Sequence, residues 1–365
     1  MRNVGKKRIL RRALGLISAA GVTAAVLSAP VDWSRLMQDA AGLALGLRQP
    51  SQTAAMLEQH LFNGAAQEVA ATVSPTLWEY GADTGLLAEP TAAKTPPFTA
   101  ITPPKNDNSG GKVVARKMTT GNRQKYGIAT VNRSGKREDI PAALAADLPF
   151  TFDDTDRPQV LILHTHTTEG YMTYDAGYYV DGDRDRTKDH TKNVCAVGEA
   201  IRLTLEAAGV GVIHDTTVHD SPQYSGAYGR SAETAQAILD KYPSIKLVLD
   251  VHRDAVLEDG AVVKPTATVK GKKAAQMMLI TGTVTTADLP HPHWQKNLAL
   301  STRLQAALDE VSPDLMRPLN TVASRYNQHL SPGWVLVEVG AEGNTVEEAV
   351  YSGQILAETL LTLLD

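Results

Sequence analysis

Residues 158–169 read PQVLILHTHTTE, and the fold turns on how that stretch is taken. Pro158 to Leu163 (PQVLIL) is a short apolar run that stops at a polar cluster, the pattern of a buried strand. Working outward, Asn193 to Ala208 (NVCAVGEAIRLTLEAA) places apolar residues at helical spacing and ends at Gly209, a C-cap signal. Val210–His214 reads as a second strand, a helix opens at Ser231 and runs through Leu239, and Pro243 closes it. Ile245–Val251 (IKLVLDV) is a third strand, and Val262–Val269 and Gln276–Val284 have the same character. Asn297–Leu308 is helical, Pro332-Gly333 introduces the strand Trp334–Val339, and a last helix spans Val346–Leu364. Strands alternating with helices predict an α/β fold: a mixed, mostly parallel sheet with helices on both faces. In such sheets functional groups collect just past the carboxyl ends of strands.

Three strand ends carry chemistry. The first is His164-Thr165-His166-Thr167-Thr168-Glu169, the second is Asp250-Val251-His252-Arg253-Asp254, and the last contains Glu338 within WVLVEVG. Two imidazoles and a carboxylate are a common catalytic zinc set, with a fourth position left for water. A separate carboxylate then serves as general base. His-x-His on one strand would put both rings on the same face, and Arg253 with Asp254 would form an ion pair orienting His252. His60 and His329 have no such partners and read as structural, whereas His291 and His293 (HPHW) read as shaping a loop.

The chain of 365 residues is globular in composition, with 43% hydrophobic and 21% charged residues. Its formal charge of -4 gives no footprint for nucleic acid. The single cysteine, Cys195, excludes a disulfide scaffold and a cysteine-rich zinc site, so any metal falls to nitrogen and oxygen ligands. There is no G-x-S-x-G and no G-x-x-x-x-G-K-[ST], so neither a serine nucleophile nor a phosphate-cradling loop has support.

The charge is uneven along the chain. Arg2, Lys6, Lys7, Arg8, Arg11 and Arg12 precede an uncharged run from Ala13 to Ala29, the layout of an export signal or signal anchor. Leu27-Ser28-Ala29 followed by Pro30 offers a cleavage site. Residues 89–112 (EPTAAKTPPFTAITPPKNDNSGGK) read as a linker. The expected organisation is therefore a basic n-region and signal anchor over 1–30, an N-terminal region and Pro/Gly-rich linker over 31–114, and a catalytic domain over 115–365. The chain would cross the cell membrane once, with the catalytic domain outside the cytoplasm.

Several strings together carry a resemblance: VLILHTHTTEGY, TKDHTKNVCAVGEAI, GVIHDTTVHD with Tyr224 and Ala227-Tyr228, LVLDVHRDA, PHWQKNLALSTRLQ, RYNQHLSPGWVLVEVG and GNTVEEA. They resemble, in order, the stage II sporulation protein P family, which is similar to the zinc-dependent N-acetylmuramoyl-L-alanine amidases. The resemblance covers about residues 115–365. It implies an amidase-like domain that hydrolyses peptidoglycan between N-acetylmuramic acid and the stem peptide, with an endopeptidase activity on cross-links. It also implies septal wall remodelling during engulfment, beside a lytic transglycosylase and a membrane scaffold protein, with Zn2+ as cofactor. By that resemblance His252 is a zinc ligand and Glu338 the catalytic glutamate. The first ligand is His166 or His164, and the acidic ligand Glu169 or Asp189. Asn327, Gln328 and Asn344, polar and in loops, are candidates for gripping substrate. Two rival functions use the same residues differently: another exported zinc peptidase, or a wall-binding scaffold with structural histidines.

Overall fold

The computed structural model describes residues 101–118, 126–183 and 186–364, all inside one compact unit, Pro90–Asp365. The basic start, the apolar run and most of the 31–114 region lie outside the described residues. Among the described residues no helix is long and apolar enough to cross a membrane. The strands are β1 (Gly111–Arg116), β2 (Thr130–Asn132), β3 (Pro158–Leu163), β4 (Tyr178–Tyr179), β5 (Gly211–His214) and β6 (Leu247–Asp254). After them come β7 (Leu257–Glu258), β8 (Ala261–Val269), β9 (Lys272–Ala275), β10 (Met277–Gly282), β11 (Leu319–Val322) and β12 (Trp334–Ala341). The helices are α1 (Ile140–Ala145), α2 (Val194–Ala207), α3 (Ala227–Lys241), α4 (Trp294–Val311) and α5 (Val346–Leu364).

The main sheet runs β2-β11-β10-β12-β6-β3-β5. β12, β6, β3 and β5 are mutually parallel, and β10 and its parallel neighbours β11 and β2 run the other way. The sheet is mixed, as its sequence predicts, with a single reversal between β10 and β12.

Both faces are covered where the apolar runs predict it. All six residues of β3 are buried. Val160 and Ile162 pack with Val194, Val197 and Ile201 of α2 and with α5, whereas Leu161 and Leu163 pack with Ala235 of α3, Val248 and Trp334. A strand buried on both sides needs apolar residues at every position, which is why VLIL shows no alternation. α2 is capped at its start by the Asn193 side chain, which accepts from the Cys195 N–H. Cys195 itself is buried, and burial first of all pushes its thiol up to about 12.

A second, smaller sheet, β4-β1-β8-β7 with β9 beside β8, takes in the 262–269 strand. β1 starts at Gly111, inside the stretch expected to be linker. Its glycines are there for close approach: a Cβ on Gly110 would stand 2.1 Å from the Tyr179 carbonyl oxygen.

Candidate functional site

β3, β6 and β12 lie side by side and parallel, so their carboxyl ends meet at one edge. Register pairs Glu338 with His252 and Leu336 with Asp250. Because alternate residues of a strand share a face, those four side chains lie together on the α3 side of the sheet.

Beyond Leu163 the chain leaves the strand in a turn, in which the Glu169 N–H donates to the His166 carbonyl at 3.0 Å. The alternation that would put His164 and His166 on one face therefore stops, and the two rings part. His164 goes to the α2 side. Its Nδ1 lies 2.9 Å from the Val251 carbonyl, which can only accept, so Nδ1 carries the proton. Nε2 is then the acceptor for His214 Nε2–H at 2.9 Å. Burial, then the neighbouring His214, lowers the His164 pKa to about 3. Gly198 makes the room, since a Cβ there would stand 2.5 Å from His214 Nε2 and 2.8 Å from His164 Nε2. His164 thus ties β3 to β6 and is not a candidate ligand. Thr165 does the same from its backbone N–H (2.9 Å) and its hydroxyl (2.8 Å), both donating to Asp250.

His166 comes to the site instead. Its ring stacks on Tyr224 at 4.4 Å between centroids and meets His252 edge-on at 5.4 Å and Tyr228 at 5.5 Å. Glu169 Oε2 lies 3.4 Å from His252 Nδ1 and accepts the Arg253 backbone N–H at 3.1 Å, while Arg186 reaches the other oxygen at 3.5 Å. On the far side of its ring, His252 Nε2 stands 3.0 Å from Asp250 Oδ1. His166, Glu169 and His252 are thus brought together, with Glu338 on the adjoining strand.

Asp189 does not join them. It is exposed, accepts from the Thr191 N–H (3.0 Å) and hydroxyl (2.6 Å), and pairs with Lys192 at 2.9 Å. Those hydrogen bonds, the Thr191 hydroxyl first, take its pKa down to about 2. It organises the turn before α2.

Arg253 and Asp254 do not pair with each other, because adjacent strand residues point to opposite faces. Arg253 Nε donates to the Gly170 carbonyl at 3.0 Å, and Asp254 pairs with Arg317 at 2.7 Å. Asn327, Gln328 and Asn344 are buried and internally bonded rather than free to grip a substrate. Asn327 Nδ2 donates to the Tyr228 carbonyl (2.8 Å). Gln328 spans the Gly282 N–H (2.9 Å) and Ile280 carbonyl (2.8 Å), and Asn344 Nδ2 donates to the Pro265 carbonyl (2.9 Å).

Electrostatics separates the acids. Burial works against an ionised Glu169, yet the hydrogen bond from His252, its charge and that of Arg253 hold the carboxyl below its ordinary value. Burial likewise opposes a charged His252, but Asp250 and Glu169 on either side raise its pKa well above the usual value. Glu338 is different: burial raises it to about 8, against the pull of His252 and with the push of Glu169. Two carboxylates kept so far apart are suited to two tasks, one to hold charge and one to carry a proton.

Sequence reasoning noted Asp250 and Tyr228 only as parts of motifs, with no role of their own, and passed over Arg186. An acid two residues before a histidine in a buried strand is a signal for the first. The other two reach the site only through tertiary folding.

As the side chains stand, no three His, Cys, Asp or Glu among the described residues converge on one metal position. The donor types nevertheless suit zinc. His166 Nδ1 and Glu338 Oε2 are each buried without a hydrogen-bond partner, a cost that a bound cation and its water would relieve.

A model of the family described as stage II sporulation protein P matches residues 90–361. The chain is 26% identical over 204 residues to the stage II sporulation protein P of Bacillus subtilis (strain 168), covering 53% of this chain and 48% of that protein. The match therefore spans about half of the relative's length. Among solved structures, the apo N-acetylmuramyl-L-alanine amidase Ami1 of Mycobacterium abscessus aligns with 57% of this chain and 100% of its own, at 13% identity and a TM-score of 0.34. The CwlD amidase of Clostridioides difficile, solved with the GerS lipoprotein, aligns with 56% of this chain and 94% of its own, at 17% identity and a TM-score of 0.32.

Proposed function

The chain belongs to the stage II sporulation protein P family, and from that membership and the site's geometry we propose that it is a zinc-dependent peptidoglycan hydrolase. Its bond is the amide between N-acetylmuramic acid and the L-alanine of the stem peptide, with cross-link endopeptidase activity beside it. The observation that carries this reading is the pairing of His252 and Glu338 across two adjacent strands, with His166 and Glu169 brought to the same place.

In this reading His166, Glu169 and His252 hold zinc. When bound there, zinc supplies Lewis acidity, polarising a carbonyl and lowering the pKa of water to about 7. Asp250 fixes the His252 ring from behind. Glu338 accepts the proton of the attacking water and delivers it to the departing nitrogen. Its burial keeps that carboxyl ready to hold a proton between the two steps. Tyr224, over half exposed and stacked on His166, offers a flat apolar face beside the site for a sugar ring.

Export through the 1–30 segment, membrane anchorage, and work beside a lytic transglycosylase and a membrane scaffold protein complete the proposal. The test is digestion of purified cell wall, with products identified by mass. Zinc-loaded protein is expected to release stem peptides, and chelator to stop it. A wild-type rate from His252→Ala would sink the assignment.

A further inference from the structure

Half of the face that carries His252 and Glu338 takes no part in the chemistry above. Register carries that face across the sheet: Glu338 pairs with Met278, Ile280 with Asn320, and Asn320 with Val131. The hydrophobic cluster that takes in Ala235 of α3 is built with Leu161, Leu163, Ile213, Ile245, Val248, Leu330 and Trp334, in and beside the other half. Met278, Ile280 and Val131 remain partly exposed.

Among the described residues, a pocket of about 120 Å³ opens on this half, walled by Met118, Val131, Met278 and Pro318 and bearing Arg133, Arg317 and Asn320. Arg317 is buried, and one of its nitrogens binds Asp254 at 2.7 Å. Arg133 is exposed and, among the described residues, pairs with no carboxylate. Asn320 is only 7% exposed, yet its Oδ1 is buried without a hydrogen-bond partner. Asn320 Oδ1 can accept a peptide N–H, Arg133 can bind a carboxylate, and Met278 and Val131 supply two apolar walls, a set complementary to a peptide that carries a carboxylate.

We propose that this pocket is the subsite for an acidic residue of the stem peptide. The inference rests on the hydrolase reading and deepens it. Strands are spaced by about 4.8 Å, which puts Asn320 on β11 roughly 10 Å across the sheet from Glu338, and Arg133, just past β2, roughly 14 Å. An extended peptide advances about 3.3–3.6 Å per residue. The recognised carboxylate therefore belongs to about the third or fourth residue from the cut. It also follows that the peptide leaves the reacting centre over β10 and β11, with the glycan on the Tyr224 side.

The test is equilibrium binding by calorimetry, using the full chain with and without zinc. The probes are a synthetic stem tripeptide with free carboxylates and the same peptide with those carboxylates amidated. The free acid is expected to bind about tenfold more tightly, and Arg133→Gln to abolish most of that ratio. Equal binding of the two peptides, or a ratio that survives Arg133→Gln, overturns the subsite. Wall digestion by the wild-type protein keeps the two claims apart. Peptide release with no Arg133-dependent ratio refutes the subsite alone. An Arg133-dependent ratio with no peptide release refutes the hydrolase reading and leaves the subsite standing.

Discussion

Acid should loosen this protein through His164, and the effect can be given a size. In the folded chain His164 titrates at about 3 against an ordinary 6.5, chiefly because it is buried. The unfolded chain takes up that proton first, so the stabilisation is fully present above pH 6.5 and is lost as pH falls toward 3. Each pH unit in that window removes up to about 1.4 kcal/mol, and a descent from pH 6.5 to 4.5 removes about 2–3 kcal/mol. Domains of this kind have only about 5–15 kcal/mol in all. The perturbation is His164→Asn, whose amide can still donate toward the Val251 carbonyl but does not titrate. Urea unfolding of both proteins would be followed by circular dichroism at pH 7.5, 6.5, 5.5 and 4.5. Titrations common to both cancel in the difference. At pH 7.5 the variant should be the weaker by about 1–3 kcal/mol, since the His214 N–H loses its acceptor. The gap should then narrow as pH falls below 6.5 and change sign near pH 5. A gap that stays constant from pH 7.5 to 4.5 would refute the claim that His164 is held neutral by the fold.

Other outcomes follow from the same geometry. Gly198→Ala should cost about 1–3 kcal/mol in urea unfolding, even though alanine favours a helix, because the added Cβ collides with both imidazoles. A stability equal to wild type would mean that α2 gives way freely. Asp250→Asn should weaken zinc binding about 10–100-fold in a chelator competition, as loss of a carboxylate behind a ligating histidine does. An unchanged affinity would remove Asp250 from the site. Glu338→Gln should slow release of stem peptides about 10²–10⁴-fold while leaving the melting temperature within a few degrees, as its carboxyl has an oxygen with no internal partner to lose. Full activity in that variant would exclude Glu338 as the proton carrier.

The sheet was legible in the sequence where strands are buried on both faces, because VLIL, KLVL and WVLVEV leave little else for the chain to do. β2 and β11 escaped notice because three or four residues carry no periodicity to detect. β1 escaped because a Gly-Gly pair reads as a hinge, and its tight fit against Tyr179 is a tertiary fact. The site was legible to the level of motif. His252 and Glu338 occupy strand positions, where register fixes their direction. His164 and His166 sit in a turn, where sequence spacing no longer says which way a side chain points. Arg253 and Asp254 were misjudged for the opposite reason: they are in a strand, and neighbours there face apart. The polar loop residues Asn327, Gln328 and Asn344 hold the loops and strands near the site together, a role that polarity alone cannot distinguish from contact with substrate.

The half of the sheet that carries this pocket has a further consequence. Its floor is made of strands β10 and β11, each hydrogen-bonded to neighbours on both sides, and such a surface does not fold over what it binds. Selection of the peptide would then be made by a template already in shape, and the loss of freedom on binding would fall almost wholly on the guest. Stiffer peptides should dwell longer on it than floppy ones of the same composition, and the strands beneath should superpose whether the guest is there or not.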